Sequence, residues 1–349
     1  MKIVVLAGGL SPEREVSLAT GTAVCKALRS KGHQAVLVDL FLGLEDYDGP
    51  LEALFDAEDG RCGGAEIKTT APDLEAVRRS RRDQSPSLLG KDVLNLCALS
   101  DLVFLGLHGE SGEDGRIQAA LDLLGIPYTG AGHLSSAMAM DKIVTKRLMD
   151  AAGIRTPKWQ LMNYGAEDVA RLTAELPCPC VVKTPGSGSS LGVYLPENRK
   201  ELETALRDVL RFGSEIIVEE RITGRDLFVG VLGERWLPAV EVVSATGKFD
   251  YAAKYQTGMA NEICPAPVTD EQLREMGEMA LALHRLLGLT VYSRADFMLD
   301  AAGVPWCLEI NSLPGLTPAS LMPKEAAAVG LSYEDFCEEL VQLSLRRKR

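Results

Sequence analysis

The chain opens on a short apolar run, Ile3-Val4-Val5-Leu6-Ala7, cut off by Gly8-Gly9. Such a run is too short for an ordinary helix and long enough for a buried strand. Ser11 follows as a helix N-cap, with Pro12 at the first helical position and Glu13 in the first turn. Val16, Ala19, Ala23, Val24, Ala27 and Leu28 then recur at helical spacing, and Gly32 supplies the stop. Gln34 to Asp39 reads as a second strand and Asp101 to Leu107 as a third. Apolar strands alternating with helices make a parallel sheet covered on both faces, so the start of the chain is α/β. Ligands of such sheets bind at the carboxyl ends of the strands. Gly8-Gly9 and His108-Gly109 both follow strand ends and are placed to face a ligand.

The length of 349 residues is enough for roughly two to three domains. Residues 57–90 interrupt the first unit with glycines, weak apolar periodicity and the cluster Arg78-Arg79-Ser80-Arg81-Arg82. They read as an insertion, part loop and part short helix, whose arginines form a solvated face. From about Met140 the texture changes. Asp141–Ala152 is a helix stopped by Gly153, Cys180–Lys183 a strand, Glu197–Arg211 a helix and Glu215–Glu219 a strand. A last unit runs from about Asp226, with strands near Leu227–Leu232, Leu237–Val243, Arg294–Leu299 and Trp306–Ile310 and a helix over Asp270–Leu287.

Charge excludes several partners. Lys and Arg number 37 against 49 Asp and Glu, a net −12. So acidic a chain is a poor binder of nucleic acid or of an anionic membrane surface. A phosphate-bearing ligand then needs a locally basic site. No stretch approaches 18 apolar residues, and the glycine-broken N-terminus does not read as a signal peptide. The eight cysteines form no CxxC pair, which favours free thiols in a reducing cytoplasm.

Five segments carry candidate chemistry. In Arg294-Ala295-Asp296 and Glu309-Ile310-Asn311, strand alternation puts Arg294 with Asp296 on one face and Glu309 with Asn311 on one face. Trp306, Leu308 and Ile310 then lie opposite, towards a core. Adjacent strands of this kind present hard oxygens suited to Mg²⁺, with Arg294 beside them for phosphate or a developing negative charge. The second segment, Lys183 to Gly192, is a lysine ending an apolar strand and a loop of glycines and serines able to wrap phosphate. It matches neither the P-loop nor the dinucleotide fingerprint. The third, Met140-Asp141-Lys142, puts a lysine in a helix's first turn, where it opposes the macrodipole unless an anion is near. The fourth is the acidic, glycine-rich loop His108 to Gly115, and the fifth is Asp250 to Tyr255, whose Lys254-Tyr255 offers a cation and a phenol on a segment able to close over a site.

In this order the segments resemble the D-alanine–D-alanine ligases of the ATP-grasp superfamily. Pro12 to Ser17, Pro127-Tyr128-Thr129-Gly130-Ala131-Gly132 and Pro314-Gly315 extend the resemblance over nearly the whole chain. It implies an ATP-grasp fold, α+β in its C-terminal parts, behind a Rossmann-like domain at 1–132, with a central subdomain at 133–225 and a metal-binding domain at 226–349. It implies a reaction: ATP phosphorylates the carboxylate of one D-alanine, and the amine of a second attacks the acyl phosphate. Lys142, Lys183 and Lys254 would contact phosphates. Asp296, Glu309 and Asn311 would hold two Mg²⁺ or Mn²⁺ ions. Glu219 and Ile222 would lie by the adenine and Asp226 by the ribose. Glu13 would bind the first ammonium, linked to Ser189 and Tyr255, with His108 near that substrate. Arg294 and the Gly315 N–H would stabilise the oxyanion, and Ser320 and Leu321 would hold the second carboxylate. A homodimer through the N-terminal domain would match the family.

The sequence departs from the family pattern at Asp226, where Glu is usual, at Arg221, where an aromatic is frequent, and at Ala319, which replaces a frequent His. Tyr255 and Leu321 resemble the members that use D-alanine in both roles. The alternatives are a ligase for another D-amino acid pair, a nucleotide-binding regulator that has lost turnover, and a nicotinamide dehydrogenase, which the missing glycine fingerprint disfavours.

Overall fold

The computed structural model describes residues 1–63, 72–186, 192–244 and 260–347. Its first unit runs β1 (Lys2–Ala7), α1 (Arg14–Ser30), β2 (Gln34–Asp39), α2 (Leu74–Ser80), α3 (Val93–Ala98), β3 (Leu102–Leu105) and α4 (Arg116–Leu123). The strands lie in the order β2-β1-β3, all parallel. Tyr128 adds a parallel bridge to Val103 beyond β3. Ile3 to Ala7 and all of β3 are buried, as strands covered on both faces require.

Three expectations are corrected here. Helix α1 starts at Arg14, with Glu13 at its cap, and Ser11 lies outside it. The Ser11 hydroxyl donates to the His108 carbonyl at 2.8 Å and accepts the Glu13 N–H, so the neighbouring loop captures the group that was expected to cap the helix. The arginine cluster is not uniformly solvated. Arg81 is buried over the Phe41 ring and donates to the Ser87 carbonyl, while Arg78, Arg79 and Arg82 stay exposed. The cysteines are not all free thiols. The Leu37 N–H donates to Gly60 and holds the start of the insertion against β2, which brings Cys62 to α1, where it is joined to Cys25 in a disulfide.

The second unit runs α5 (His133–Met140), α6 (Lys142–Ala152), β4 (Trp159–Asn163), α7 (Val169–Glu175), β5 (Cys180–Lys183), β6 (Val193–Tyr194), α8 (Arg199–Val209) and β7 (Glu215–Glu220). Its antiparallel sheet has the order β4-β7-β5-β6. Alternate residues Ile216 and Val218 of β7 meet Leu202 and Leu206 of α8 in one core, which leaves Ile217 and Glu219 for the other face. Asp141 caps α6 by accepting the N–H groups of Ile143 and Val144, and Gly153 ends it in the left-handed region.

The third unit runs β8 (Gly224–Leu232), β9 (Arg235–Trp236), β10 (Val240–Ser244), β11 (Ala260–Ile263), α9 (Asp270–Leu286), β12 (Tyr292–Asp300), β13 (Pro305–Asn311), α10 (Leu321–Ala328) and α11 (Tyr333–Arg346). The sheet order is β11-β10-β8-β12-β13, with β9 on β8. A register shift corrects the expected face of β13. Asp296 pairs with Glu309 but Phe297 pairs with Cys307, so Leu308 is the extra residue of a bulge. Cys307 and Ile310 therefore both enter the core with Ala295 and Phe297, while Leu308 is turned to a cleft and Trp306 stays half-buried, donating to Asp300. Helix α11 lays Phe336, Leu340 and Val341 into the core of the first unit, so the end of the chain closes on its beginning.

Candidate active site

A cleft with about 580 Å³ of open space lies where the second and third units meet. Lys142, Lys183, Glu219, Glu309 and Asn311, all named from sequence, line it together. The elements explain how. Lys183 is the last residue of β5, and Glu219 lies beside it on β7. Lys142 begins α6, and its N–H donates to Pro185, just past Lys183. Glu309 and Asn311 end β13.

On the β5–β7 side, two ammonium groups share one carboxylate. Lys146 Nζ lies 2.9 Å from Glu219 Oε1 and Lys183 Nζ lies 2.8 Å from Oε2, all three side chains being buried. Burial works to raise the Glu219 carboxyl, but the two lysines outweigh it and hold its pKa below the ordinary value. Burial works to lower Lys183, yet Glu219, Glu309 and Asp296 outweigh it and its pKa is raised. Lys146 is lowered, because burial and the Lys183 charge exceed the pull of Glu219. The cluster carries two cations and one anion, so it is built to receive further negative charge.

The β12–β13 side has the opposite balance. Arg294 donates Nε and Nη2 to the two oxygens of Asp296 at 2.7 and 2.9 Å. Asp296 sits across from Glu309 and Arg294 across from Asn311. The Asn311 side-chain oxygen accepts the Leu313 N–H at 2.8 Å, which fixes its direction. Asp296, Glu309 and Asn311 thus offer hard oxygens from neighbouring strands, a donor set that fits Mg²⁺ or Mn²⁺. Among the described residues no group of three or more His, Cys, Asp or Glu that could hold a metal ion is present.

The carboxyl ends of the parallel strands add a third wall. Gly109 adopts φ +70°, and a Cβ there would lie 2.9 Å from Glu13 Oε2, so only glycine lets this loop approach Glu13. His108 is buried, its Nδ1 donating to the Leu313 carbonyl at 3.3 Å and its Nε2 accepting the Thr20 hydroxyl at 3.0 Å. Burial holds its pKa down despite Glu13, so it is a neutral scaffold joining α1 to the loop after β13. Ser320 takes the N-cap position of α10 without a side-chain cap bond, Leu321 is buried in its first turn, and a Cβ on Gly315 would lie 3.0 Å from the Ser320 hydroxyl.

Some expected residues lie away from the cleft lining. Ile222 is half-buried in the turn between β7 and β8, Asp226 pairs with Met298 and Val242 on β8, and Arg221 faces Glu197 at 3.6 Å. Ser189, Lys254 and Tyr255 lie outside the described residues.

Sequence reasoning missed Lys146 and gave no role to Glu113. Lys146 follows Lys142 by four residues, the spacing that places two side chains on one helix face, and that spacing was available. Glu113 lines the cleft and accepts the Gly109 N–H at 3.1 Å. Burial first, then the charges of Glu13 and Glu309, push its pKa up to about 8 against the Gly109 N–H and Arg294.

The chain is similar to known proteins in sequence and in fold. The family described as D-ala D-ala ligase N-terminus matches residues 2–131, and that described as D-ala D-ala ligase C-terminus matches 148–342. The D-alanine–D-alanine ligase of Pediococcus pentosaceus is 43% identical over 98% of this chain and 97% of its own length. That of Desulforudis audaxviator is 38% identical over 99% of both. Among solved structures, the Bacillus anthracis D-alanine–D-alanine ligase complexed with ATP superposes with a TM-score of 0.71, at 27% identity over 99% of this chain and 98% of its own. The VanG D-Ala:D-Ser ligase of Enterococcus faecalis superposes with 0.74, at 28% identity over 98% and 99%.

Proposed function

The chain belongs to the D-alanine–D-alanine ligase family and is an ATP-dependent ligase of two D-alanines; from that premise we propose which residues carry each part of the reaction. The observation that carries the reading is the cleft itself, with a net-positive wall facing a wall of carboxylate and carboxamide oxygens. A cation–polyphosphate complex is a ligand that answers both walls at once.

Lys142 and Lys183 hold the phosphates of ATP, and Lys146, through Glu219, keeps Lys183 aimed. Lys254 adds a further contact. Glu219, Ile222 and Asp226 form the nucleoside end. Asp296, Glu309 and Asn311 hold two Mg²⁺ or Mn²⁺ ions, which when bound neutralise phosphate charge and polarise the transferred group. Glu13 binds the ammonium of the first D-alanine, with His108 behind it and Ser189 and Tyr255 linking the site to its closing loop. The carboxylate oxygen of that D-alanine takes the γ-phosphoryl group, and ADP leaves. Ser320 and Leu321 orient the second D-alanine by its carboxylate. Its amine attacks the acyl carbon, and Arg294 with the Gly315 N–H holds the oxyanion until phosphate departs. Neither side chains nor backbone supply covalent chemistry; position and charge do the work.

The same reading makes the protein a cytoplasmic homodimer serving peptidoglycan precursor synthesis. No helix among the described residues is long and apolar enough to cross a membrane. The test is ADP release from Mg²⁺-ATP across a panel of D-amino acids and D-lactate, with product masses. D-alanine-dependent ADP and D-alanyl-D-alanine are expected. A panel in which D-alanine elicits no ADP overturns the reading, and a mixed product naming another D-amino acid moves it to a different second substrate.

A further inference from the structure

Glu325 is a fully buried carboxyl that the roles above leave unused. It lies one helical turn after Leu321 on α10. Its Oε1 accepts the Gly230 N–H at 2.9 Å, and its Oε2 has no hydrogen-bond partner among the described residues. Gly230 sits directly across from Arg294 in the β8–β12 register, so side chains at the two positions would share one face of the sheet. A Cβ on Gly230 would come within 2.4 Å of Glu325 Oε2. The missing side chain is therefore the seat of the carboxyl, and that seat is beside Arg294.

Two carboxyls now flank one guanidinium. Arg294 forks onto Asp296, while Glu325 is seated on the glycine across the sheet from Arg294, its carboxyl pushed well above the usual range by burial against the opposing pull of the Gly230 N–H and Arg294. Leaving a buried carboxyl half-satisfied is costly, and a serine or glutamine would accept the Gly230 N–H at less cost. The Arg294–Asp296 fork also conflicts with the cation-holding role given to Asp296, because both of its oxygens are engaged. Resting on that role, we propose that Glu325 is a positioning residue, the alternate partner onto which Arg294 turns when Asp296 gives its oxygens to a divalent cation. The exchange keeps the guanidinium buried, paired and next to the reacting carbonyl, and it frees Asp296 without leaving a lone buried charge.

The test is Mn²⁺ binding in the presence of ADP, followed by electron paramagnetic resonance on the full chain, with thermal melting as the control for folding. Glu325→Gln keeps the volume and the acceptor for Gly230 but cannot pair with Arg294 as an anion. It should bind Mn²⁺ about tenfold more weakly than wild type, as removal of a supporting partner does elsewhere. Glu325→Asp keeps the carboxyl but retracts it, and should lose less affinity than Glu325→Gln. In an Arg294→Lys background, where the fork no longer holds Asp296, Glu325→Gln should add no further loss. Wild-type Mn²⁺ affinity in either Glu325 variant overturns the proposal, as does an undiminished effect in the Arg294→Lys background. Glu309→Gln separates the two readings. If it abolishes Mn²⁺ binding while Glu325→Gln leaves it intact, the metal site stands and the exchange falls. If wild type itself binds no Mn²⁺ with ADP, both fall.

Discussion

Two of the walls around the cleft solve the problem of buried charge in opposite ways. On β5 and β7 a single carboxylate, Glu219, is shared by Lys146 and Lys183, and the excess is positive. On β12 and β13 a single guanidinium, Arg294, stands with Asp296 and Glu309, and the excess is negative, while burial pushes the nearby carboxyls of Glu113 and Glu325 up towards their neutral forms. Each wall alone holds uncompensated charge, which is costly in a low-dielectric setting. Together they are complementary to a ligand carrying both signs. The contrast teaches that affinity and chemistry here are stored as mismatched ion pairs, completed only when substrate and cation arrive.

The largest effect should come from breaking the first wall. Glu219→Gln leaves two buried ammonium groups without an anion and should cost about 3–5 kcal/mol of stability, read by urea denaturation. Asp296→Asn attacks the second wall and should lower the rate of ADP formation about 10²–10³-fold while leaving the melting temperature close to wild type. A variant that melts early yet turns over normally would make Asp296 structural. Lys183→Met removes one cation but leaves the Lys146–Glu219 pair, so it should raise KM for ATP about tenfold with a folded protein, and unchanged KM would take Lys183 off the phosphates. The smallest effect concerns pH. Glu113 titrates at about 8 when folded against an ordinary value of 4.5, so the folded state binds more protons between those limits and stability falls as pH climbs through them. Glu113→Gln should flatten that fall, and parallel stability–pH curves for variant and wild type would refute the assignment.

Much of this contrast was legible in the sequence. Arg294, Asp296, Glu309 and Asn311 sit on strands whose alternation assigns their faces, and Lys183 ends an apolar strand. What was not legible follows from distance along the chain. Lys146 is 73 residues before Glu219 (219 − 146), and nothing local marks it as the partner of that carboxylate. Glu325 looks like one more polar residue of an amphipathic helix until Gly230 is placed against it. The bulge at Leu308 turns one residue across the sheet and redirects an apolar side chain into the cleft, and a period of two cannot foresee it. Cys25 and Cys62 are separated by 37 residues and meet only because Gly60 is held on β2.

By itself the sequence determined the alternation of strands and helices, the class of fold, the family and the residue types that chemistry requires. These depend on local propensity, on the periodicity of apolar residues and on short motifs, all of which are written within a few residues of one another. Only the tertiary structure decided which charges share a partner and which are left over. Electrostatic balance is set by distances of a few ångströms between groups that the chain holds far apart, and by burial that no single segment controls.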